Sequence, residues 1–241
     1  MSETYPRLTA SGDSALVVEF GDTIDPALND RVLTLDAALA RAAIAGVVET
    51  VPTYRSLLVH YDPTVIDFAA LGKLVMGMAT HETGAPPRRR RWRVPVVYGG
   101  AFGIDLEAVA ERHGMTPDEV IARHAGGDYR VYMLGFTPGY TYLGGLDPKI
   151  ATPRRPDPRP ETPTGTIGIG GSQTGIQCLV APSGWHLLGR TPMRTYHPHR
   201  NPVFLIEPGD TVTFVPIPAS AWEGLDRAAE AGEPVAEAVD P

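Results

Sequence analysis

From Tyr129 to Thr191, glycine and proline fall so close together that neither a long helix nor a long strand fits, yet apolar and aromatic residues recur between them. The stretch runs Y-R-V-Y-M-L-G-F-T-P-G-Y-T-Y-L-G-G-L-D, then A-T-P-R-R-P-D-P-R-P, then T-P-T-G-T-I-G-I-G-G-S-Q-T-G, and closes on P-S-G-W-H-L-L-G-R-T. It is too apolar and too varied for a linker. It reads as ordered, irregular β structure: glycines supply positive φ and close backbone approach, and prolines fix φ and stop ladders, giving tight corners between short strands.

Polar residues at these corners suggest a site. Arg154, Arg155 and Arg159 lie in a proline-spaced strip that holds the chain extended. Their planar forks suit bidentate recognition of carboxylate or phosphate. Gln173, in G-G-S-Q-T-G, offers a side-chain amide beside bare backbone amides for an oxyanion. Arg154, Arg159 and Gln173 are therefore assigned to the chemistry. Tyr142 and Trp185 wall the pocket, and His186, Arg190 and Thr191 of the closing motif complete substrate binding, His186 as a possible acid or base. On this reading, alanine at Arg154 or Arg159 costs only about 0.5 kcal/mol of stability, as at other exposed positions. The competing reading leaves the arginines solvated, the glycines merely turning the chain and the aromatics filling a barrel.

Four ordered runs, G-F-T-P-G-Y-T-Y-L-G-G-L-D, P-R-R-P-D-P-R, P-T-G-T-I-G-I-G-G-S-Q-T-G-I and P-S-G-W-H-L-L-G-R-T-P, resemble the KipI/allophanate hydrolase subunit 1 family. The likeness extends from S-G-D-S-A-L-V-V-E-F to the late G-D-T-V-T-F-V-P-I. The family more often has Phe-Pro where Tyr140 and Thr141 stand, Tyr at Gln177 and Gly at Ser183. The resemblance implies a cyclophilin-like barrel and the role of the B subunit in a bacterial 5-oxoprolinase, the ATP-dependent opening of 5-oxoproline to glutamate. It also implies two partners, a biotin-dependent carboxyltransferase-like C subunit and an A subunit. ATP with Mg2+ would act at the level of the complex, and the isolated chain would have little activity. Two alternatives within the resemblance are an inhibitor of a sensor histidine kinase and a carboxyltransferase-like module of a urea carboxylase or allophanate hydrolase system.

The formal net charge of −7 and pI near 5.5 argue against general nucleic-acid affinity, and 43% hydrophobic residues suffice for a buried core in 241 residues. The single cysteine, Cys178 in I-Q-C-L-V, reads as a buried thiol in a reducing compartment. No leader or membrane-length apolar run is evident, so a soluble cytoplasmic protein is expected. G-T-I-G-I-G-G lacks the Gly-Lys-Ser/Thr ending of a phosphate loop. His197 and His199 flank Pro198 without a carboxylate or thiolate cluster, so no metal site is assigned. His113 and His124 read as cations complementing helix C-termini.

Along the chain, Ser14 to Phe20 alternates as a strand, and Asp25-Pro26 caps a helix with Val32, Leu35, Leu39 and Ala43 inward and Gly46 at its end. Strands at Val47 to Pro52 and Ser56 to Tyr61 follow, then a helix from Asp67 to Ala79 with Phe68, Leu71, Leu74, Val75 and Met78 inward. This β-α-β-β-α order predicts a small α+β domain over residues 1–84. Two prolines and four consecutive arginines mark a basic linker at 85–93, solvated or leading into a strand. A mainly β, barrel domain is expected over 94–220, with helices at Ile104 to His113 and Thr116 to His124 and strands at Trp92 to Tyr98, Tyr129 to Leu134, Arg194 to Tyr196, Val203 to Ile206 and Thr211 to Val215. Residues 221–241 are expected as a tail that begins as a short helix and frays.

Overall fold

A computed structural model describes residues 4–81 and 89–239. The chain divides into two compact units between Arg88 and Arg89. In the first, β1 (Arg7–Ala10), β2 (Ala15–Glu19), β3 (Val47–Pro52) and β4 (Ser56–Tyr61) form an antiparallel sheet in the order β1-β2-β4-β3. Helices α1 (Pro26–Ala42) and α2 (Phe68–Thr80) pack on it and on each other. Leu16, Val18, Leu57 and Val59 alternate inward from β2 and β4 to meet Val32, Leu35 and Leu39 of α1 and Leu71 and Val75 of α2. Asp25 caps α1 by accepting from the Ala27 N–H, as the Asp-Pro signal requires. The helix ends three residues before Gly46, at Ala43, which takes the left-handed conformation and is exposed. Along α2, the buried stripe is Leu71, Val75 and Ala79, spaced by one helical turn; Phe68 and Leu74, expected inward, fall beside it and are 37% and 47% exposed.

The second unit begins with β5 (Arg91–Tyr98), helices α3 (Leu106–His113) and α4 (Pro117–Ala125), β6 (Tyr129–Leu134) and β7 (Thr141–Gly144). Then come β8 (Arg159–Thr162), β9 (Thr166–Gly170), β10 (Gln173–Ile176), β11 (Ala181–Ser183), β12 (His186–Arg190) and β13 (Thr211–Pro216). The order β12-β9-β10-β7-β6-β13-β5 closes where β12 pairs back onto β5, giving a seven-stranded barrel. Its interior takes Leu143, Ile167, Ile169, Ile176 and Leu188, all fully buried, each contributing about 1.5–3 kcal/mol relative to exposure. Thr116 and Glu119 form a reciprocal capping box on α4, and Gly114 ends α3 at positive φ. β8 and β11 make a separate two-stranded ribbon.

Several expectations change here. Of the basic segment, 85–88 lies outside the described residues, and the rest is tied into the barrel. Arg91 starts β5, and the buried Asp210 carboxylate accepts from the Arg90 N–H, the Arg90 guanidinium and the Trp92 indole. The segment beyond 220 is ordered: α5 (Trp222–Glu230) is held through Asp226 to Arg194, and β14 (Glu237–Val239) adds to the edge of β5. Arg194–Tyr196 and Val203–Ile206 are joined only by a bridge between Tyr196 and Phe204. The Arg200 guanidinium donates to the carbonyls of Arg194, Thr195 and Val203, and the last two also accept from the Leu205 and His197 N–H across the bridge. His124 is not a surface cation at a helix end but lies wholly buried in the barrel. Among the described residues no helix is long and apolar enough to cross a membrane.

Candidate functional site

The alternation of I-G-I-G in β9 turns Ile167 and Ile169 into the barrel and leaves Gly168 and Gly170 on its outer face. The next strand repeats the pattern, with Ile176 inside and Gly175 outside. Register aligns Gly168 with Gly175 and Gly175 with Tyr142, so a bare strip of backbone crosses two strands and ends at the Tyr142 ring on the third. Aromatic rings lie on it. A Cβ at Gly170 would stand 2.9 Å from the Trp185 ring, and one at Gly175 would stand 2.9 Å from Tyr140 Oη. Here the glycines make room for rings.

Tyr140 and Tyr142 share a strand face, their centroids 4.6 Å apart, and Trp185 meets them nearly edge-on at 6.0 and 6.2 Å. Phe136 stands edge-on to Tyr140 at 5.7 Å; it is 63% exposed and adopts φ 64°, a conformation that a bulky residue rarely takes. Opposite runs the proline strip. Its position is set by the Arg155 N–H bonded to the Gly184 carbonyl at 2.7 Å, by the His186 ring at 3.0 Å from the Pro153 carbonyl, and by the bridge between Thr152 and Gly171. Between strip and rings lies a cleft of about 340 Å³, within the range of small-ligand sites. Arg154 places its guanidinium 5.6 Å from the Trp185 ring centre, a cation–π contact. Burial pushes the Tyr142 phenol up from its ordinary pKa and the Arg154 charge draws it partly back, so Tyr142 is a neutral donor at pH 7. The Ser183 hydroxyl accepts from the Trp185 backbone N–H, so serine at this corner fixes the main chain that carries the indole.

Of the residues assigned from sequence, Arg154, Tyr142 and Trp185 meet in the cleft. The others do not line it. Arg159 donates to the Asp105 carboxylate at 2.6 Å, and Asp105 also accepts from the Leu187 N–H at 2.8 Å. This pair joins the start of α3 to β8 and β12, so Arg159 is bound within the protein. Gln173 opens β10 opposite Gly170, outside the cleft lining. His186 is used on the Pro153 carbonyl. Arg190 donates twice to the Thr164 carbonyl and lies over Trp222; burial lowers its pKa, with Asp226 opposing and Arg194 reinforcing that shift. Thr191 is fully buried, with its hydroxyl accepting from the Met193 N–H and its backbone N–H bonded to Gly165. Gly165, at φ 77°, approaches the Thr191 carbonyl so closely that a Cβ would lie 2.0 Å from it. The G-R-T run therefore closes the barrel seam rather than a ligand pocket.

Among the cleft residues that sequence reasoning left unassigned are Phe136, Tyr140 and Arg155. The i, i+2 spacing of Tyr140 and Tyr142 was the available signal for the second of these. Gln177, where the family more often has Tyr, is buried and donates to the carbonyls of Thr162, Leu179 and Ala181, so the position serves the fold.

Comparison with known proteins covers this whole region. Residues 6–206 match the family model of the carboxyltransferase domain, subdomain C and D. The chain is 40% identical over 217 residues to the 5-oxoprolinase B subunit of Bacillus subtilis (strain 168), covering 86% of this chain and 90% of that protein. It is 37% identical over 206 residues to the 5-oxoprolinase B subunit of Escherichia coli O157:H7, covering 85% and 93%. The crystal structure of TTHA0988 superposes with a TM-score of 0.77 at 38% identity over 85% of this chain; this chain spans only 40% of that longer one.

Proposed function

Because the chain belongs to the carboxyltransferase domain, subdomain C and D family and is similar over most of its length to two 5-oxoprolinase B subunits, we propose that it is the B subunit of a 5-oxoprolinase complex. Its reaction is the ATP-dependent hydrolysis of 5-oxo-L-proline to L-glutamate. A lactam is resonance-stabilised, so coupling its opening to ATP requires activation of the amide oxygen and donors around the charge that develops. The barrel is read as cyclophilin-like, and the protein as cytoplasmic.

The observation that carries the assignment to a site is the cleft of Arg154, Tyr142 and Trp185, which offers flat aromatic walls for a ring and cations for negative charge. Arg159 acts there as a positioning residue, through Asp105 and the Trp185–Leu187 backbone. Among the described residues the cleft lining includes no carboxylate, histidine or thiol, so base and nucleotide chemistry are assigned to two partners, a carboxyltransferase-like C subunit and an A subunit, with ATP and Mg2+ bound at the level of the complex.

The test is reconstitution. The purified chain, alone and with its A and C homologues, is incubated with 5-oxoproline and ATP, and glutamate is quantified. Turnover should require the partners and ATP. Full ATP-dependent turnover by the isolated chain would refute the division of labour; none in the reconstituted mixture would refute the function.

A further inference from the structure

Arg155 differs from the other two arginines of the strip. Arg159 is paired with Asp105, and Arg154 lies against the face of Trp185. Arg155 also lines the cleft, yet its Nε is buried and has no hydrogen-bond partner among the described residues. A buried guanidinium N–H without an acceptor is costly and calls for an explanation, and a guanidinium with no acceptor inside the protein is one that a ligand's anion can engage. The backbone that carries Arg155 is fixed by its N–H bond to Gly184, so the side chain is presented from a rigid base. The paired Nη groups of a guanidinium form a fork that matches the two oxygens of a carboxylate.

A second, independent feature stands at the same cleft. Phe136 keeps an exposed phenyl on a left-handed backbone, edge-on to Tyr140, and lines the cavity. Strain of this kind collects at ligand sites, and an exposed ring there is apolar area for a ligand to cover. The cavity's volume of about 340 Å³ lies at the small end of ligand sites, which favours a single small ring over a nucleotide.

We propose that Arg155 is the specificity-determining residue of this cleft: it binds the carboxylate borne by a small planar lactam, while Phe136, Tyr142 and Trp185 hold the ring. This rests on the 5-oxoprolinase reading and adds that substrate recognition resides in this chain, before any nucleotide acts. The carboxylate is what separates 5-oxoproline from 2-pyrrolidinone, the same ring without it. A site with an unpaired guanidinium favours the first and gains nothing from the second.

The experiment measures binding of 5-oxoproline and of 2-pyrrolidinone to the full chain, alone and with the C homologue, by calorimetry and ligand-observed NMR. Wild type should prefer 5-oxoproline. Arg155→Gln should weaken 5-oxoproline tenfold or more and leave 2-pyrrolidinone unchanged, with Arg155→Lys between. Phe136→Ala should weaken both ligands by similar factors. Melting curves of each variant check the fold. Unchanged 5-oxoproline affinity in Arg155→Gln, or no binding by wild type in either form, would overturn the proposal. ATP-dependent turnover by the wild-type reconstituted complex is read separately: without turnover but with carboxylate-selective binding, the enzymatic assignment fails while the role of Arg155 stands.

Discussion

His124 should make the barrel acid-sensitive in a window where carboxylates contribute little. Its ring lies inside the barrel, stacked on Phe214 at 4.8 Å and 17°, with Nδ1 at 2.8 Å from Tyr98 Oη and Nε2 at 2.9 Å from Thr174 Oγ1. The Thr174 hydroxyl donates to the Gly168 carbonyl, so it accepts from Nε2–H, and Nδ1 accepts from Tyr98. Protonating Nδ1 breaks that arrangement and charges a desolvated ring, and burial accordingly pushes the His124 pKa down to about 3. In the unfolded chain it titrates near the ordinary value of about 6.5. The folded value is depressed, so the unfolded chain binds the extra proton. The stability is fully present above about 6.5 and is lost as pH falls, at about 1.4 kcal/mol per pH unit. From pH 7 to pH 5 the loss is about 2 kcal/mol. Urea unfolding at the two pH values, for wild type and His124→Asn, isolates this group: the variant starts less stable but should lose about 2 kcal/mol less on acidification. The ring proton signals of His124 in wild type should also stay unshifted down to pH 4. Equal acid losses in both proteins, or a ring titrating near pH 6, would refute the argument.

Two substitutions separate the arginines, and a third probes the glycine strip. Arg159→Ala should cost about 2 to 4 kcal/mol of stability by stranding the buried Asp105, slightly below the range for a fully buried pair because Arg159 keeps some exposure. Arg154→Ala should cost about 0.5 kcal/mol of stability yet reduce activity of the reconstituted complex about tenfold to a hundredfold. Equal melting temperatures for the two would show that the Asp105 pair does not brace the fold. Gly170→Ala should displace the Trp185 ring from 2.9 Å contact, costing about 1 to 3 kcal/mol and shifting the tryptophan emission; an unchanged spectrum and affinity would mean the ring does not rest on that strip.

What was legible in the sequence was local. The capping signals at Asp25 and at Thr116 with Glu119 fix helix starts through contacts two or three residues away, and the structure shows those bonds. β6 follows from the apolar and aromatic run of Tyr129 to Leu134. What stayed illegible depends on distant partners. Nothing near Arg159 says that its counter-ion is Asp105, 54 residues earlier, and nothing near His124 says that its ring will meet Thr174, 50 residues later. β14 is three residues long, too short for any period to show.

Barrel size bears on where a ligand can go. About eight strands enclose space for side chains or for one small ligand, and seven enclose less. Here that space is filled by the isoleucines of β9 and β10, by Leu143 and by the His124–Phe214 stack. The cleft lies on the outer surface, where a sheet normally carries polar side chains against water. Gly168 and Gly170 of β9 and Gly175 of β10 convert that surface into a platform by removing side chains from three positions on two adjacent strands, and Tyr140, Tyr142 and Trp185 occupy it. Such a platform can orient a flat ring and pair its charge. Being open on one side, it excludes water poorly, whereas activated amide intermediates must be kept from indiscriminate attack. A wall supplied by a partner would close the cleft, and on the proposed function an outer-face cleft of this kind suits one member of a complex better than a self-sufficient enzyme.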